Sequence, residues 1–373
     1  MKVAVINMAN PSLSDSTDIM KAIKQCRSSV DPWIRNAGAL MANRIAGITM
    51  DASNCRSTSV EWITGTMMVF IGLMLFAADH MPGKSCNTLA LGQILNLLTE
   101  DDDSEIKTFV KNNPQYNFLL SPILLSTAHT TKEGYKSVFF SLAMSSICSP
   151  LFAPILNKDD KDLMHLDEEP TAVFMIVSEG DYSSMTIAST ILTIMHMSMI
   201  SRIESSPEAK AKIPVHFIID EFGSLNLPFM SDWVAQGRAR GLWYLLACQS
   251  RGQLVSKYGL GITESIESNC GLRIFMGSNN MEALIYQAYQ MTTDKEDPLM
   301  TIDQLRKMTH GQAVVMCDGT DPYFGRMLDI STVVELYPLH CDSQPYYDVP
   351  IPNVLKWHEG CEESELYEIS YGD

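Results

Sequence analysis

The rhythm of apolar and polar residues along this chain changes near residue 145. From Asp15 to about Ser145 apolar positions recur at helical spacing, strand signals are few, and the breaks fall at Asp79-His80-Met81-Pro82-Gly83 and at the acidic run Glu100-Asp101-Asp102-Asp103. That stretch predicts an all-helical domain. Beyond it, short β-rich apolar runs alternate with helical stretches, the signature of a parallel sheet covered on both faces. Strands are expected at Ala172–Val177, Val215–Ile219, Leu242–Cys248, Leu272–Met276 and Gln312–Cys317, with a long apolar helix over Ser184–Ile203. Val215–Ile219 is expected to be a buried strand with His216 packed in it. After Pro338 the pattern dissolves into Pro- and Tyr-rich sequence, and Glu359–Asp373 carries six acidic residues and no basic one, which reads as a solvated tail.

Length and composition refine this picture. A chain of 373 residues that is 46% hydrophobic and 19% charged is long enough for two or three folded domains. The division expected is residues 1–25 as part of a nucleotide-binding domain, 26–145 all-α, 146–340 nucleotide-binding, and 341–373 an acidic tail. A net charge of -17 argues against simple coating of nucleic acid, because a uniformly acidic surface repels phosphate. A ring-shaped motor can still present a few basic residues to DNA in its channel. None of the nine cysteines falls in a C-x-x-C pair, so a disulfide framework or a metal knuckle has little support, and Cys248 and Cys270 read as small core residues of a reduced protein. Met1–Asn7 is too short an apolar run for a secretory signal and reads as a strand and its exit turn. Trp62–Ala78 lacks charge but is diluted by Gly65 and Gly72 and flanked by Glu61 and Asp79, which favours a buried helix over a membrane span.

The sharpest chemical signal is Val215–Gly223, where an apolar strand delivers Asp220 and Glu221 at its end, as in a Walker B motif. Two carboxylates there are costly to desolvate without a cation or donor. In an ATPase, Asp220 would hold the magnesium shell and Glu221 would orient or deprotonate the attacking water. A solvated strand end explains the same letters structurally. Gln236-Gly237-Arg238-Ala239-Arg240-Gly241 precedes the next strand and supports two readings: an arginine finger reaching a neighbouring subunit, or a helix C-terminus with basic residues at the dipole and Gly at the stop. Gln249, closing the following strand with Ser250 and Gln253 nearby, stands where an amide could sense a γ-phosphate.

Together these residues resemble the TraG/TraD coupling proteins of type IV secretion and conjugation. The resemblance rests on Phe217–Gly223, Gly237-Arg238, Gln249-Ser250 with Gln253-Leu254, Tyr258-Gly259, and Asn269 before a strand, in order. Asn10-Pro11, Trp62, Met300–Asp303, Gly311–Ala313 and Asp321-Pro322 extend it over roughly Lys2–Leu336. It implies an α/β fold with a RecA-like P-loop NTPase core and an inserted all-α domain serving as the recognition module. It further implies a homohexameric ATPase, using ATP and Mg2+, anchored at the cytoplasmic face of the membrane at the mouth of a type IV secretion channel. Such a motor recruits a relaxosome, through a relaxase on single-stranded DNA, or a protein effector. On this likeness Asp220 and Glu221 match the Walker B pair, Arg238 the arginine-finger position and Gln249 the motif glutamine. The family's transmembrane helices and Walker A loop have no counterpart in the sequence: Gly83-Lys84-Ser85 lacks the leading glycine, having Ala78 there, and follows a helix. The chain is therefore expected to be a fragment, inactive alone and in membrane contact only through missing N-terminal helices. Two other readings stand beside it: a non-catalytic recognition adaptor derived from such a motor, and another RecA-like DNA-translocating ATPase.

Overall fold

The computed structural model describes residues 2–51, 58–100, 105–126, 128–158, 160–178, 180–291 and 299–327. The acidic tail, Cys55 and Asp101–Asp103 lie outside them. Contacts divide the described residues into two compact units, one formed by residues up to Val215 with Leu225–Leu227, the other by His216–Ser224 and the described residues from Pro228 to Met327.

In the first unit β1 (Lys2–Asn7) pairs in parallel with β2 (Thr171–Ile176), Lys2 opposite Thr171 and Asn7 opposite Ile176. The chain between these neighbours is helical: α1 (Ile19–Arg27), α2 (Pro32–Thr49), α3 (Val60–His80), α4 (Thr88–Glu100), α5 (Glu105–Asn112), α6 (Pro114–Leu119), α7 (Ser121–Leu124), α8 (His129–Leu142) and α9 (Ala153–Leu156). After β2 comes α10 (Tyr182–Ser205). Aspartates start three of these helices, because a carboxylate accepts hydrogen bonds from amides that have no partner in the first turn. Asp18 accepts from Lys21 N, Asp31 from Trp33 N ahead of Pro32, and Asp181 from the N–H groups of Ser183 and Ser184. The uncharged run Trp62–Ala78 forms the body of α3, and a helix apolar on nearly every side has to be enclosed. Phe70 is fully buried and meets Phe139 of α8 edge-on at 5.5 Å. α3 and α10 are each long and apolar enough to cross a membrane, and most of each is buried inside the protein, as in a core helix.

The second unit contains β3 (Val215–Ile219), α11 (Met230–Arg240), β4 (Leu242–Leu246), α12 (Arg251–Tyr258), α13 (Leu260–Asn269), β5 (Leu272–Phe275), α14 (Met281–Gln290), α15 (Ile302–Arg306), β6 (Gln312–Cys317) and β7 (Tyr323–Arg326). β3 and β4 are hydrogen-bonded neighbours. They run parallel: His216 stacks on Trp243, Phe217 on Tyr244, and Ala247 N donates to Ile219 O at 2.9 Å, so partners advance together. β5, β6 and β7 form an antiparallel ladder over a core of Leu284, Ala288, Met291, Leu305, Val314 and Met316.

Two expectations are corrected here. β3 is buried on one face only: Phe217 and Ile219 are enclosed, whereas His216 is exposed and Ile218 is 75% exposed. Side chains alternate across a strand, and only one set of them is covered by the described elements. Cys248 is exposed rather than a core residue, because β4 ends at Leu246 and the cysteine sits in the following turn.

Candidate active site

The carboxylates stand on a turn that the backbone enforces. At the end of β3 the ladder skips two residues: Ala247 N bonds Ile219 O, and Phe222 N returns to Ala247 O at 2.8 Å. Asp220 and Glu221 form the excursion between them, both exposed. Glu221 has φ 50°, one of two non-glycine residues with positive φ among those described. Left-handed backbone costs a side-chain-bearing residue about 1–2 kcal/mol, so it persists only where its surroundings over-determine it. They do so here. Asp220 Oδ1 accepts from Glu221 N at 2.9 Å, and Ser224 N donates to Glu221 O at 2.8 Å. Phe222 is fully buried, stacked on Tyr258 at 5.1 Å. A Cβ on Gly223 would lie 2.5 Å from the Gln253 side chain, so glycine leaves that amide its present place.

Gln249 reaches this turn from the end of β4. Its Nε2 donates to Glu221 Oε1 at 3.1 Å and Oε2 at 3.2 Å. Ser250 caps α12, its Oγ accepting from Gln253 N at 3.2 Å. Arg251, the first residue of α12, is then held from two other helices. Its Nε is 3.0 Å from each oxygen of Glu267 on α13, and its guanidinium lies 4.1 Å over the Tyr286 ring on α14. The Tyr286 hydroxyl donates to the same Glu267 at 3.1 Å. The sequence reading missed this three-helix clamp behind Gln249. Its members are scattered over α12, α13 and α14, and only the position of Arg251 next to Gln249-Ser250 hints at it.

Arg238 is not brought to the carboxylates. It is exposed near the C-terminus of α11 and makes no ion pair among the described residues. Gly237 beside it packs closely on β4, where a Cβ would stand 2.4 Å from the Tyr244 ring and 2.8 Å from Leu242 O. The helix stops at Gly241, in left-handed conformation at φ 79°. Desolvation of the sulfur, then the charges of Glu267 and Glu221, push the Cys248 thiol up, although the residue as a whole is exposed.

The donor set discriminates between metals. Among the described residues no three His, Cys, Asp or Glu side chains converge as a ready-made cage. Two adjacent carboxylates without nitrogen or sulfur ligands suit Mg2+, which keeps several waters and binds through one or two carboxylates plus substrate phosphates. The phosphate side is not supplied by Gly83-Lys84-Ser85, which forms a short 3-10 turn after Pro82 and is not led in by a strand.

Residues 214–291 match a family model described as the TraM recognition site of TraD and TraG. Among solved structures, the chain is similar to the bacterial conjugative coupling protein TrwBdeltaN70 in unbound form, at 14% identity and a TM-score of 0.60, over 87% of this chain and 74% of that one. The plasmid coupling protein TrwB in complex with ADP and Mg2+ gives a TM-score of 0.60 at 14% identity, over 88% and 74%. VirB4 of Thermoanaerobacter pseudethanolicus gives 0.52 at 9% identity, over 87% and 76%. No curated protein sequence matches. The fold is RecA-like α/β with an all-α domain, as in TrwB.

Proposed function

With a TraG/TraD-type segment at residues 214–291 set in the fold of a conjugative coupling protein, we propose that the turn after β3 is the hydrolytic half of a nucleotide site in a motor of conjugation or type IV secretion. The observation that carries this reading is the pair of hydrogen bonds from Gln249 to Glu221 at the ends of adjacent parallel strands. Ligands of open α/β sheets gather at that edge.

With Mg2+ bound, Asp220 would hold its water shell. Glu221 accepts a proton from the attacking water at a carboxylate oxygen, and Gln249 aims that carboxylate. When bound, Mg2+ and ATP supply the phosphoanhydride and the charge these residues serve, as TrwB structures with ADP and Mg2+ suggest for the fold. The phosphates would need a glycine-rich cradle, a part that Gly83-Lys84-Ser85, in its 3-10 turn, does not play. Arg238, exposed and without an ion pair among the described residues, acts on a neighbouring subunit of a homohexamer. The assembled motor sits at the cytoplasmic face of the membrane beside a secretion channel. It draws in single-stranded DNA or a protein effector through a relaxosome component, in line with the description of the matched family segment.

The test is ATP turnover by the chain supplied with a phosphate-binding-loop polypeptide. Glu221→Gln should lower kcat by about 10²–10⁴-fold, the usual worth of a general base, with nucleotide affinity retained. Turnover undiminished by that change would remove Glu221 from the mechanism. A non-catalytic adaptor would show no turnover in either form.

A further inference from the structure

Gln249 and Glu221 meet in solvent. Both side chains are exposed, and a hydrogen bond in water competes with the solvent for each partner, so the amide stays on the carboxylate only if the backbone that carries it is fixed. Towards β4 it is fixed: Ala247 bonds Ile219 O through its N–H and receives Phe222 N at its carbonyl. In the other direction Gln249 leads through Ser250 into α12, a helix of eight residues, too short to hold its own position. Whatever anchors α12 therefore decides where the Gln249 amide points.

The far end of α12 is tied to the β3 turn itself. Tyr258 stacks on Phe222 at 5.1 Å, and its hydroxyl donates to Phe222 O at 3.4 Å. At the near end, two residues from Gln249, the anchor is Arg251. Its Nε donates to both oxygens of Glu267 at 3.0 Å, and Glu264 brings a second carboxylate to 3.8 Å. The guanidinium lies 4.1 Å over the Tyr286 ring, whose hydroxyl closes the set on Glu267 at 3.1 Å. The side chains of Arg251 and Glu267 are only 21% and 20% exposed, so this pair is screened less than a surface one, and a planar fork stacked on a ring fixes direction as well as distance. Tyr286 in turn sits on α14, which contributes Leu284 and Ala288 to the core with β6. The entry to α12 is thus fastened to a helix that is seated independently of the β3 turn.

We infer that Arg251 is a positioning residue: clamped by Glu267 and Tyr286, it fixes the entry to α12 and so keeps the Gln249 amide on the Glu221 carboxylate. Its use rests on the reading of Glu221 as the base, and the test has two arms that separate the two ideas. In the first, the full chain is labelled with 15N-glutamine and studied without nucleotide, the Gln249 side-chain signal being assigned by its loss in Gln249→Ala. That amide should relax as a rigid group in the native chain and as a free one in Glu221→Ala. Arg251→Lys, which keeps the charge without the fork or the stacking plane, and Glu267→Gln should free it as well. Tyr286→Phe, which keeps the ring and drops the hydroxyl, should fall between, and it carries the same readout should Arg251→Lys fail to fold. In the second arm, turnover with the phosphate-binding-loop polypeptide, Arg251→Lys should lower kcat about 10- to 100-fold with the KM for ATP unchanged, as loss of alignment does. An amide as rigid in Arg251→Lys and Glu267→Gln as in the native chain would overturn the clamp and leave the role of Glu221 standing. A freed amide with kcat unaltered would overturn its service to the reaction. No turnover even by the native chain would instead strike the reading of Glu221, with the amide signals still deciding the clamp.

Discussion

Glu221 combines two properties that seldom coincide, a left-handed backbone and a carboxylate held by a neighbouring amide. If the strain is maintained for the sake of the carboxylate, removing both together should stabilise the fold. Glu221→Gly is expected to raise stability by about 0.5–1 kcal/mol, since glycine adopts this φ without steric cost while losing slightly more chain entropy. Urea denaturation checks it, and a loss of stability would mean the side chain is held for packing instead. The Asp-Glu pair was legible in sequence because an apolar run ending on two acids has few structural explanations. The strain was not, because nothing in the letters Phe-Ile-Ile-Asp-Glu-Phe-Gly separates a left-handed glutamate from an extended one. The Arg251–Glu267–Tyr286 clamp was equally hidden, its three members meeting only once α12, α13 and α14 pack.

Among the elements, α11 and β4 show how closely packing and site are tied. Gly237→Ala would drive a Cβ into Tyr244 and the Leu242 carbonyl. It should cost about 1–3 kcal/mol, as overpacking does, and displace Arg238 with it. The variant's chemical-denaturation midpoint checks the first effect. In the helical elements, Asp79 gives a pH prediction. Burial alone would raise its carboxyl, but hydrogen bonds from Arg27 and Tyr116, with the Arg27 charge, outweigh it and hold the group below the usual carboxylate range. A depressed folded pKa stabilises fully above the unfolded value of about 3.9 and loses that contribution as pH falls through the lower folded value. Melting temperature should therefore drop more steeply below about pH 4 in the native protein than in Asp79→Asn, whose curve should be flatter and lower at pH 7. Parallel acid curves would show the pair to be silent. Strand positions were readable from apolar runs and their polar ends, within one or two residues. Which face of β3 is covered was not, because His216, Ile218, Trp243 and Leu245 carry the apolar or aromatic character of a doubly buried strand while standing exposed. β7, from Tyr323 to Arg326, is short and half polar and gave no periodic signal.

At the scale of the molecule, acidic charge and the proposed motor chemistry are reconciled by location. A net charge of -17 argues against simple coating of nucleic acid, and the proposed site asks only for two carboxylates and an amide meeting a metal-bound triphosphate. The all-α insertion between β1 and β2 was legible from its helical spacing, and the likeness to TrwB at a TM-score of 0.60 agrees with that reading. The account turns on where Mg2+ and ATP meet this chain. The measurement that bears on it most directly is paramagnetic broadening of methyl resonances by Mn2+ and ATP at millimolar concentration, using isotope-labelled full chain. Broadening should centre on the Ile219 methyls beside Asp220 and disappear in Asp220→Asn. Broadening centred on the residues around Gly83–Ser85, or unaffected by Asp220→Asn, would contradict it.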